Sequence, residues 1–275
     1  MAPVSRSPKH VMLWPGVAIA LLLVVVVVLS LQVRGERAMR KQRLFTGKWP
    51  VMPVLPEDID PIFRQGTFGP RLETEVSFMG RGPYVVEGGT TDSEAWILAV
   101  LAKRATRLFE FGTCTGKTAY LWARNAPPNA RVTTLTLAPD GHGDYQAAAT
   151  DHERDMEYAV RESSHSSFVY TGTDVEPKVE QLFGDSKTLD VAPWAGQCDL
   201  VFIDGSHAYS YVMSDSEKAL QLVRPGGLVL WHDYAGPGHS PGVYRAVNEL
   251  AQRLPLVRIQ GTSLASYRRP PGPSA

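Results

Sequence analysis

The sequence predicts an α/β domain with a doubly wound, mostly parallel sheet and a C-terminal antiparallel hairpin, preceded by one N-terminal transmembrane helix. From about residue 91, short and continuously apolar strands alternate with helical patterns. That alternation is typical of a parallel sheet that helices cover on both faces. Two further β-rich runs, PLVRIQ and SLASYRR, suit a closing hairpin. An uncharged apolar run fills residues 11–33.

The elements of this pattern follow one another in a regular order. A helix starts at a Thr91 or Asp92 cap, with Glu94 in its first turn. After it come the strand RLFEF, a glycine-rich turn with the helix GKTAYLWARNA, the strand VTTLTL, a weakly periodic region with a helix near 150–162, the strands EQLFGD and CDLVFID, the helix SYVMSDSEKALQLV and the strand GGLVLWHD. We expect Asp215 and Glu217 on the solvated face of the last helix.

The apolar run at 11–33 is long enough to cross the ~30 Å hydrocarbon core of a bilayer as a helix. A cleaved signal peptide is the alternative, but it would have a shorter apolar region and a small-residue cleavage site. Basic residues are more numerous after the run than before it. The positive-inside rule therefore predicts a single-pass membrane protein with its main domain on the cytoplasmic side.

The remaining chain divides by composition. We predict a short tail at 1–10, a basic juxtamembrane segment and Pro-spaced connector at 34–70, the folded domain at 71–268 and a disordered tail at 269–275. Lys+Arg and Asp+Glu both number 28, so no charge excess indicates a nucleic-acid partner. Two cysteines are too few for a disulfide framework or a zinc cluster. A homo-oligomer is compatible with this composition.

Two acidic residues and a histidine come directly after predicted strands. Asp204 and Asp233 each end an apolar run, and His207 lies three residues beyond the first. The carboxyl ends of parallel strands border one crevice, so we expect these side chains to converge there. A helix cap for Asp204, a backbone-bonded loop position for His207 and a turn position for Asp233 are the structural alternatives.

The turn LFEFGTCTGKTAY lies between a predicted strand and a predicted helix. Its glycines would let the backbone turn tightly and approach a ligand. The spacing of Gly112 and Gly116 matches neither the dinucleotide fingerprint nor a phosphate-binding P-loop. An ordinary strand-to-helix turn is the alternative, although Glu110, two residues before Gly112, could accept a hydrogen bond from a cationic amine.

Three motifs in order, E-x-G-x-x-T-G-K-T-A, FIDGSHAY and RPGGLVLWHDY, resemble the class I S-adenosylmethionine-dependent methyltransferases. The nearest type is the metal-dependent catechol and caffeoyl-coenzyme A O-methyltransferases, with related bacterial sugar O-methyltransferases. The resemblance covers roughly residues 90–268. It implies a Rossmann-like fold, S-adenosyl-L-methionine as cofactor, and O-methylation of a small-molecule, sugar or lipid-linked hydroxyl acceptor.

The resemblance also implies a set of cofactor-binding residues in the glycine turn and after the next two strands: Glu110, Gly112, Thr113, Gly116, Thr136 and Asp185. Asp185 would lie near the adenine, although a turn role suits it equally. Thr136 stands where the family usually carries an acid for the ribose hydroxyls. Either Thr136 and Asp140 substitute for that acid, or the affinity for the cofactor is weakened.

The same resemblance assigns Asp204 and Asp233 as ligands of a divalent cation such as Mg²⁺, with Asp204 and His207 in the catalytic centre. His207 would be the general base that deprotonates the acceptor hydroxyl. An imidazole with a reference pKa of ~6.5 suits that task near neutral pH. A hard cation takes oxygen ligands and lowers the pKa of a bound hydroxyl. Tyr234 replaces a common Asn ligand, so His232 or water would complete the site.

Two other functions compete with this one. Thr136 and Tyr234 would suit a degenerate, membrane-tethered binding module without catalysis. A nicotinamide-dependent oxidoreductase could use a similar sheet, but G-x-G-x-x-G and the acid after the second strand are both missing.

Overall fold

The computed structural model describes residues 22–30, 51–79 and 89–272. The chain divides into two compact units, Met1–Lys48 and Trp49–Ala275. In the first unit, residues 22–30 form a helix (α1) with exposed side chains. Within the described ranges, no helix is long and apolar enough to cross a bilayer. The rest of the predicted span at 11–33, the tail at 1–10 and the basic part of the connector at 34–50 lie outside the described residues.

The second unit is built on one eight-stranded sheet in the order β1-β7-β8-β6-β5-β2-β3-β4. All strand pairs are parallel except those of β8, which runs antiparallel to β6 and β7. The strands are β1 Met52–Val54, β2 Arg107–Phe111, β3 Arg131–Thr136, β4 Val179–Phe183, β5 Cys198–Ile203, β6 Val223–Trp231, β7 Val257–Ile259 and β8 Ala265–Arg268. The mostly parallel sheet and the C-terminal hairpin confirm the predicted α/β fold.

Helices cover both faces of this sheet. They are α2 Pro56–Ile59, α3 Asp92–Ala102, α4 Lys117–Asn125, α5 Glu153–Glu162, α6 Tyr209–Leu222 and α7 Pro241–Leu250. Buried side chains of α3 and α4 belong to one core cluster, whereas those of α6 and α7 belong to a second. Successive strand residues point to opposite faces, so Leu108 joins the first cluster and Phe109 the second. This double coverage explains why the central strands are continuously apolar.

Part of the segment predicted as a connector belongs to the sheet. β1 pairs in parallel with β7 at the edge of the sheet. Beyond it, the buried side chains of Ile59, Ile62 and Phe63 join the first core cluster, and Asp60 accepts a hydrogen bond from the Ile62 amide at 3.0 Å. The prolines of this segment are compatible with an edge strand and with the first turn of a helix. The folded unit therefore includes residues that the sequence pattern assigned to a linker.

The strand order reverses direction around β2 and β5. From β2, the chain continues outward to β3 and β4, and then returns to β5 on the other side of β2. Open parallel sheets bind ligands in the crevice outside the carboxyl ends of such strands. Gly112 follows β2 and Asp204 follows β5, so the fold places the two predicted motifs on opposite sides of that crevice.

Candidate active site

Two carboxylates and an imidazole meet after β5 and β6. The Nδ1 atom of His232 lies 2.9 Å from Asp204 Oδ1 and 3.0 Å from Asp233 Oδ2. His232 is buried beneath the crevice, and the two aspartates are largely buried beside it. Asp233 has a positive φ of 58°, a conformation that few residues other than glycine adopt. The turn after β6 thus aims Asp233 back toward the end of β5.

His207 joins this cluster from the loop before α6. Its Nε2 atom lies 2.9 Å from Asp233 Oδ2. Burial disfavours the imidazolium, but the hydrogen bond to Asp233 and the surrounding carboxylates outweigh that cost and raise the pKa of His207 to about 9. The predicted convergence of Asp204, His207 and Asp233 is present in the structure. Their roles as base and metal ligands stay predictions.

Glu94 supports the cluster from the first turn of α3, where the sequence indicated only a helix start. Its carboxylate accepts hydrogen bonds from the Thr91 amide at 2.8 Å and from the Ser263 amide at 2.7 Å, and its Oε2 lies 3.4 Å from His232 Nε2. Burial opposes ionisation, but the hydrogen bond and charge of His232 hold the pKa of Glu94 well below its usual range. Glu94 is therefore a carboxylate that fixes the His232 ring.

The donor set fits a divalent cation. One ligand atom each from Asp204, His232 and Asp233 can be chosen so that all three lie within 4.8 Å of one another. A ring nitrogen of a metal-bound histidine usually donates to an outer carboxylate, and Glu94 lies beside the second nitrogen of His232. The sequence indicated His232 or water as the ligand that completes the cation site, and the structure places His232 beside both aspartates.

Protons and a cation would compete for this cluster. Although burial disfavours the imidazolium, the charges of Asp204 and Asp233 raise the pKa of His232 well above its usual value. Burial raises the pKa of Asp204, although His232 opposes the rise. Burial also disfavours ionised Asp233, but the charge of His232 and the hydrogen bond of His207 hold its pKa well below the usual range. A bound cation would replace the positive charge that the imidazoles carry.

A cavity of about 510 Å³ opens beside this cluster at the ends of β2, β3, β4 and β5. Among the predicted cofactor residues, Gly112, Thr136 and Asp185 line it. Asp185 accepts hydrogen bonds from the Lys187 amide at 2.9 Å and from the Tyr211 hydroxyl at 3.1 Å. Asp185 therefore shapes the turn and lines the cavity at once.

The other predicted cofactor residues, Glu110, Thr113 and Gly116, lie outside the lining of this cavity. Glu110 is buried and accepts a hydrogen bond from the Thr134 hydroxyl at 2.7 Å, while Thr113 shares a 2.8 Å hydrogen bond with Thr134. Burial raises the pKa of Glu110 to about 8, with the Asp204 charge adding to it and the Thr134 hydrogen bond opposing it. The hydrogen bonds of Glu110 and Thr113 with Thr134 therefore connect the glycine turn to β3.

The acid expected after the second strand of the family has no equivalent on the cavity wall. Thr136 is the residue there, and Asp140 is exposed to solvent away from the lining. A different acidic residue, Asp215, lines the cavity. Asp215, which we expected on the solvated face of α6, is buried and lines the cavity, so that expectation was wrong. Burial raises the pKa of Asp215 to about 7, although a Ser186 hydrogen bond opposes the rise.

A second cavity, of about 820 Å³, contains the cluster of aspartates and histidines. Cys114, Glu162 and Asp204 line both cavities, so the two adjoin at these residues. Burial raises the pKa of Glu162 to about 6, where the charge of His207 opposes the rise. Helix α5 was predicted near 150–162 without a functional role. Its residues Arg154, Tyr158 and Glu162 recur every four positions and line this second cavity, a helical spacing that could have revealed them.

Comparison with known proteins identifies a family relationship. Residues 109–234 match the model of the "Methyltransferase domain" family. One curated relative, an uncharacterized protein of Acanthamoeba polyphaga mimivirus, is 32% identical over 80 residues. That match covers 29% of this chain and 33% of the viral protein, so the chain spans about a third of its relative.

Solved structures also resemble this chain. The cofactor-bound Rv0187 protein from MTB matches with a TM-score of 0.50 and 18% identity, over 80% of this chain and 100% of that chain. The O-methyltransferase TomG from Streptomyces achromogenes, in complex with SAM, has a TM-score of 0.46 and 23% identity over 66% and 82% of the two chains. An O-methyltransferase from Bacillus cereus in complex with SAH has a TM-score of 0.48 and 18% identity over 68% and 86%.

Proposed function

We propose that the chain, whose residues 109–234 match the methyltransferase domain family, is a class I S-adenosylmethionine-dependent methyltransferase that methylates a hydroxyl oxygen with the help of a divalent cation. The observation that carries this proposal is the shared wall at Asp204, Glu162 and Cys114. A cavity at the switch point of the sheet adjoins, at these residues, a second cavity that is lined by carboxylates and imidazoles. Two reactants in these cavities would meet beside Asp204.

The cavity at the switch point suits S-adenosylmethionine in the charge of its lining. S-adenosylmethionine carries a methyl group on a positively charged sulfur. The acceptor oxygen would attack the methyl carbon, and the bond from that carbon to sulfur would break as S-adenosylhomocysteine leaves. The carboxyl groups of Asp185, Asp204 and Asp215 line the cavity, and in their ionised forms they would attract that cation. Gly112, after β2, packs directly against the backbone of Asp204, after β5, so the two sides of the cavity lie close together.

His207 is the proposed base of the transfer. The acceptor hydroxyl must lose its proton as its oxygen attacks carbon. His207 lines the second cavity, and in its neutral form an Nε2–H that donates to Asp233 would leave Nδ1 to accept that proton. Asp233 therefore fixes the tautomer and stabilises the imidazolium that forms. Asp204, His232 and Asp233 would hold the cation, which would lower the pKa of the acceptor hydroxyl.

Methyl transfer can be measured directly with a panel of hydroxyl acceptors. The full chain in detergent micelles, with S-adenosylmethionine and Mg²⁺, should produce S-adenosylhomocysteine in the presence of a catechol, a sugar or a quinol, and chelation of the metal should suppress the product. Asp204→Asn should abolish this metal-dependent activity, whereas Asp144→Asn, which removes an exposed carboxylate outside both cavities, should preserve it.

Cation binding itself should release protons. The pKa of His207 is raised to about 9 and that of His232 is raised well above its usual value, so both imidazoles hold a proton at neutral pH before a cation arrives. Binding at the cluster should therefore become tighter as pH rises. Calorimetry with Mg²⁺ in two buffers of different ionisation enthalpy gives the number of protons released. Zero release, or an affinity that Asp204→Asn leaves unchanged, would refute the cation site.

We also propose that residues 11–33 anchor the protein in a membrane, with the methyltransferase domain on the cytoplasmic side. The support for this is the sequence of the run and the basic residues that follow it. An anchored enzyme would act on an acceptor at or near the membrane, such as a lipid-linked sugar or a quinone-like phenol.

The anchor has its own test. After expression in a bacterial host, the full chain should remain in the membrane fraction through alkaline carbonate washing, and external protease should leave the domain intact in sealed spheroplasts. Deletion of residues 11–33 should move the protein into the wash. Release of the full chain by carbonate would rule out the anchor, and cleavage of the domain in intact spheroplasts would reverse its orientation.

A further inference from the structure

A cationic cavity lies at the edge of the sheet opposite the active site. It has a volume of about 940 Å³ and is lined at the amino-terminal ends of β2, β3 and β4. The proposed reaction takes place at the carboxyl ends of these strands, so the reaction makes no use of this cavity. Arg107, Arg131 and Lys178 contribute its positive charges.

The three cations form a row across neighbouring strands. Arg107 and Arg131 are direct partners in the parallel pairing of β2 and β3. Lys178 immediately precedes Val179, which is the partner of Val132 in the pairing of β3 and β4. Adjacent strands are about 4.8 Å apart, and like charges at directly paired positions repel each other. The fold therefore places three positive charges side by side, and their mutual repulsion destabilises the folded state.

The carboxylates near this row are already engaged. Asp199 accepts hydrogen bonds from the Thr106 amide at 2.7 Å, the Arg107 amide at 2.9 Å and Arg224 Nε at 2.5 Å. Glu180 lines the cavity and accepts a 3.0 Å hydrogen bond from Thr133. Within the part of the chain that the structure describes, neither the Arg107 nor the Arg131 guanidinium has an ion pair or a hydrogen bond.

Lys178 differs from the two arginines because its position is fixed. Its ammonium donates to the carbonyl oxygens of Ala123 and Ala126 at 2.8 and 3.1 Å, near the end of α4. An ammonium has three donors, so one remains for a ligand. The Trp194 side chain also lines the cavity and packs edge-on against Phe109 with ring centroids 5.6 Å apart. The cavity thus has a fixed charge, an aromatic side chain in its lining and two guanidinium groups that have no partner among the described residues.

We propose that this cavity binds a phosphate-bearing anion through Arg107 and Arg131, with Lys178 as a third contact. A guanidinium group offers parallel donors that match two oxygens of a phosphate. Arg107, Arg131 and Lys178 supply three positive charges and Glu180 one negative charge, so the net of two positive charges suits a ligand with two negative charges. A soluble phosphate compound and the headgroup of an anionic lipid both provide this chemistry.

Calorimetric titration of inorganic pyrophosphate into the full chain in nonionic micelles tests the site. Saturable binding is expected, and it should weaken as salt is raised because the contacts are charged and near solvent. The combined change Arg107→Gln and Arg131→Gln should weaken it at least about tenfold through loss of the charge-assisted hydrogen bonds. The same variant should bind S-adenosylhomocysteine with unchanged affinity, which shows that it is folded and separates this site from the active site.

A matched control removes the same charge elsewhere. Arg64→Gln combined with Arg71→Gln deletes two exposed arginines outside the cavity and should leave pyrophosphate binding unchanged. Absence of saturable binding to the wild type, or an equal loss in both double variants, would overturn the proposal. Short-chain phosphatidate and phosphatidylcholine distinguish the sources. Displacement of pyrophosphate by phosphatidate alone would indicate a lipid headgroup, and displacement by neither would indicate a soluble phosphate.

Discussion

His207→Ala is expected to lower the turnover of methyl transfer by about 10²–10⁴-fold, which is the usual contribution of general acid–base catalysis. The affinity for S-adenosylhomocysteine should be unchanged, because His207 lines the second cavity and not the one at the switch point. The wild-type rate should rise with pH as His207 loses its proton, because the hydrogen bond to Asp233 and the surrounding carboxylates raise the pKa of this imidazole. That rising limb should vanish in the variant.

Steady-state kinetics over a pH series and a parallel binding titration provide the two readouts. His152→Ala is the matched control, because His152 is an exposed residue that precedes α5 and makes no side-chain capping bond. Turnover within a few-fold of wild type in His207→Ala would eliminate this residue as the base. Equal losses of turnover and of S-adenosylhomocysteine affinity would point to a structural role instead.

Gly112→Ala is expected to abolish cofactor binding and to destabilise the domain. A Cβ atom at this position would lie 2.0 Å from the carbonyl oxygen of Asp204 and 2.6 Å from the amide nitrogen of Gly205, and the backbone φ is +101°. Backbone strain and overpacking each cost about 1–3 kcal/mol, so we expect a loss of about 2–6 kcal/mol in the free energy of unfolding. Relief of the clash would push apart the ends of β2 and β5.

Chemical denaturation gives the stability, and titration of S-adenosylhomocysteine below the midpoint gives the binding. Gly143→Ala is the control, because an added Cβ there has no neighbour within 4 Å and the glycine lies outside both active-site cavities. A fully stable Gly112→Ala protein that binds the cofactor product normally would show that the close approach of the two turns is dispensable.

Features that repeat along the chain were readable from the sequence. The apolar runs identified the central strands, and the end of each run located Asp204 and Asp233 at a common edge. The cap at Thr91 and the hairpin of β7 and β8 were also readable, because capping residues and alternating strands leave local signals.

Features that depend on distant contacts were not readable. Asp215 has helical neighbours that suggest an exposed face, but packing against the loop after β4 buries it. The pairing of β1 with β7 joins segments about 200 residues apart, for which the sequence carries no local signal. The sequence showed Glu94 only as a capping acid. Its contact with His232 depends on the fold, which brings the two residues together.

The multiple contacts of Glu94 also set the order in which a working enzyme can arise during synthesis. One carboxylate closes the first turn of α3, steadies His232 and accepts from Ser263, a residue 169 positions later. On the ribosome, α3 can form early, but the carboxylate lacks its last partners until the segment around Ser263 has emerged. Contacts over such a separation form late in folding. A chain interrupted before that segment could build much of the sheet and still leave His232 poorly oriented, so a truncated product would be folded in part and catalytically silent.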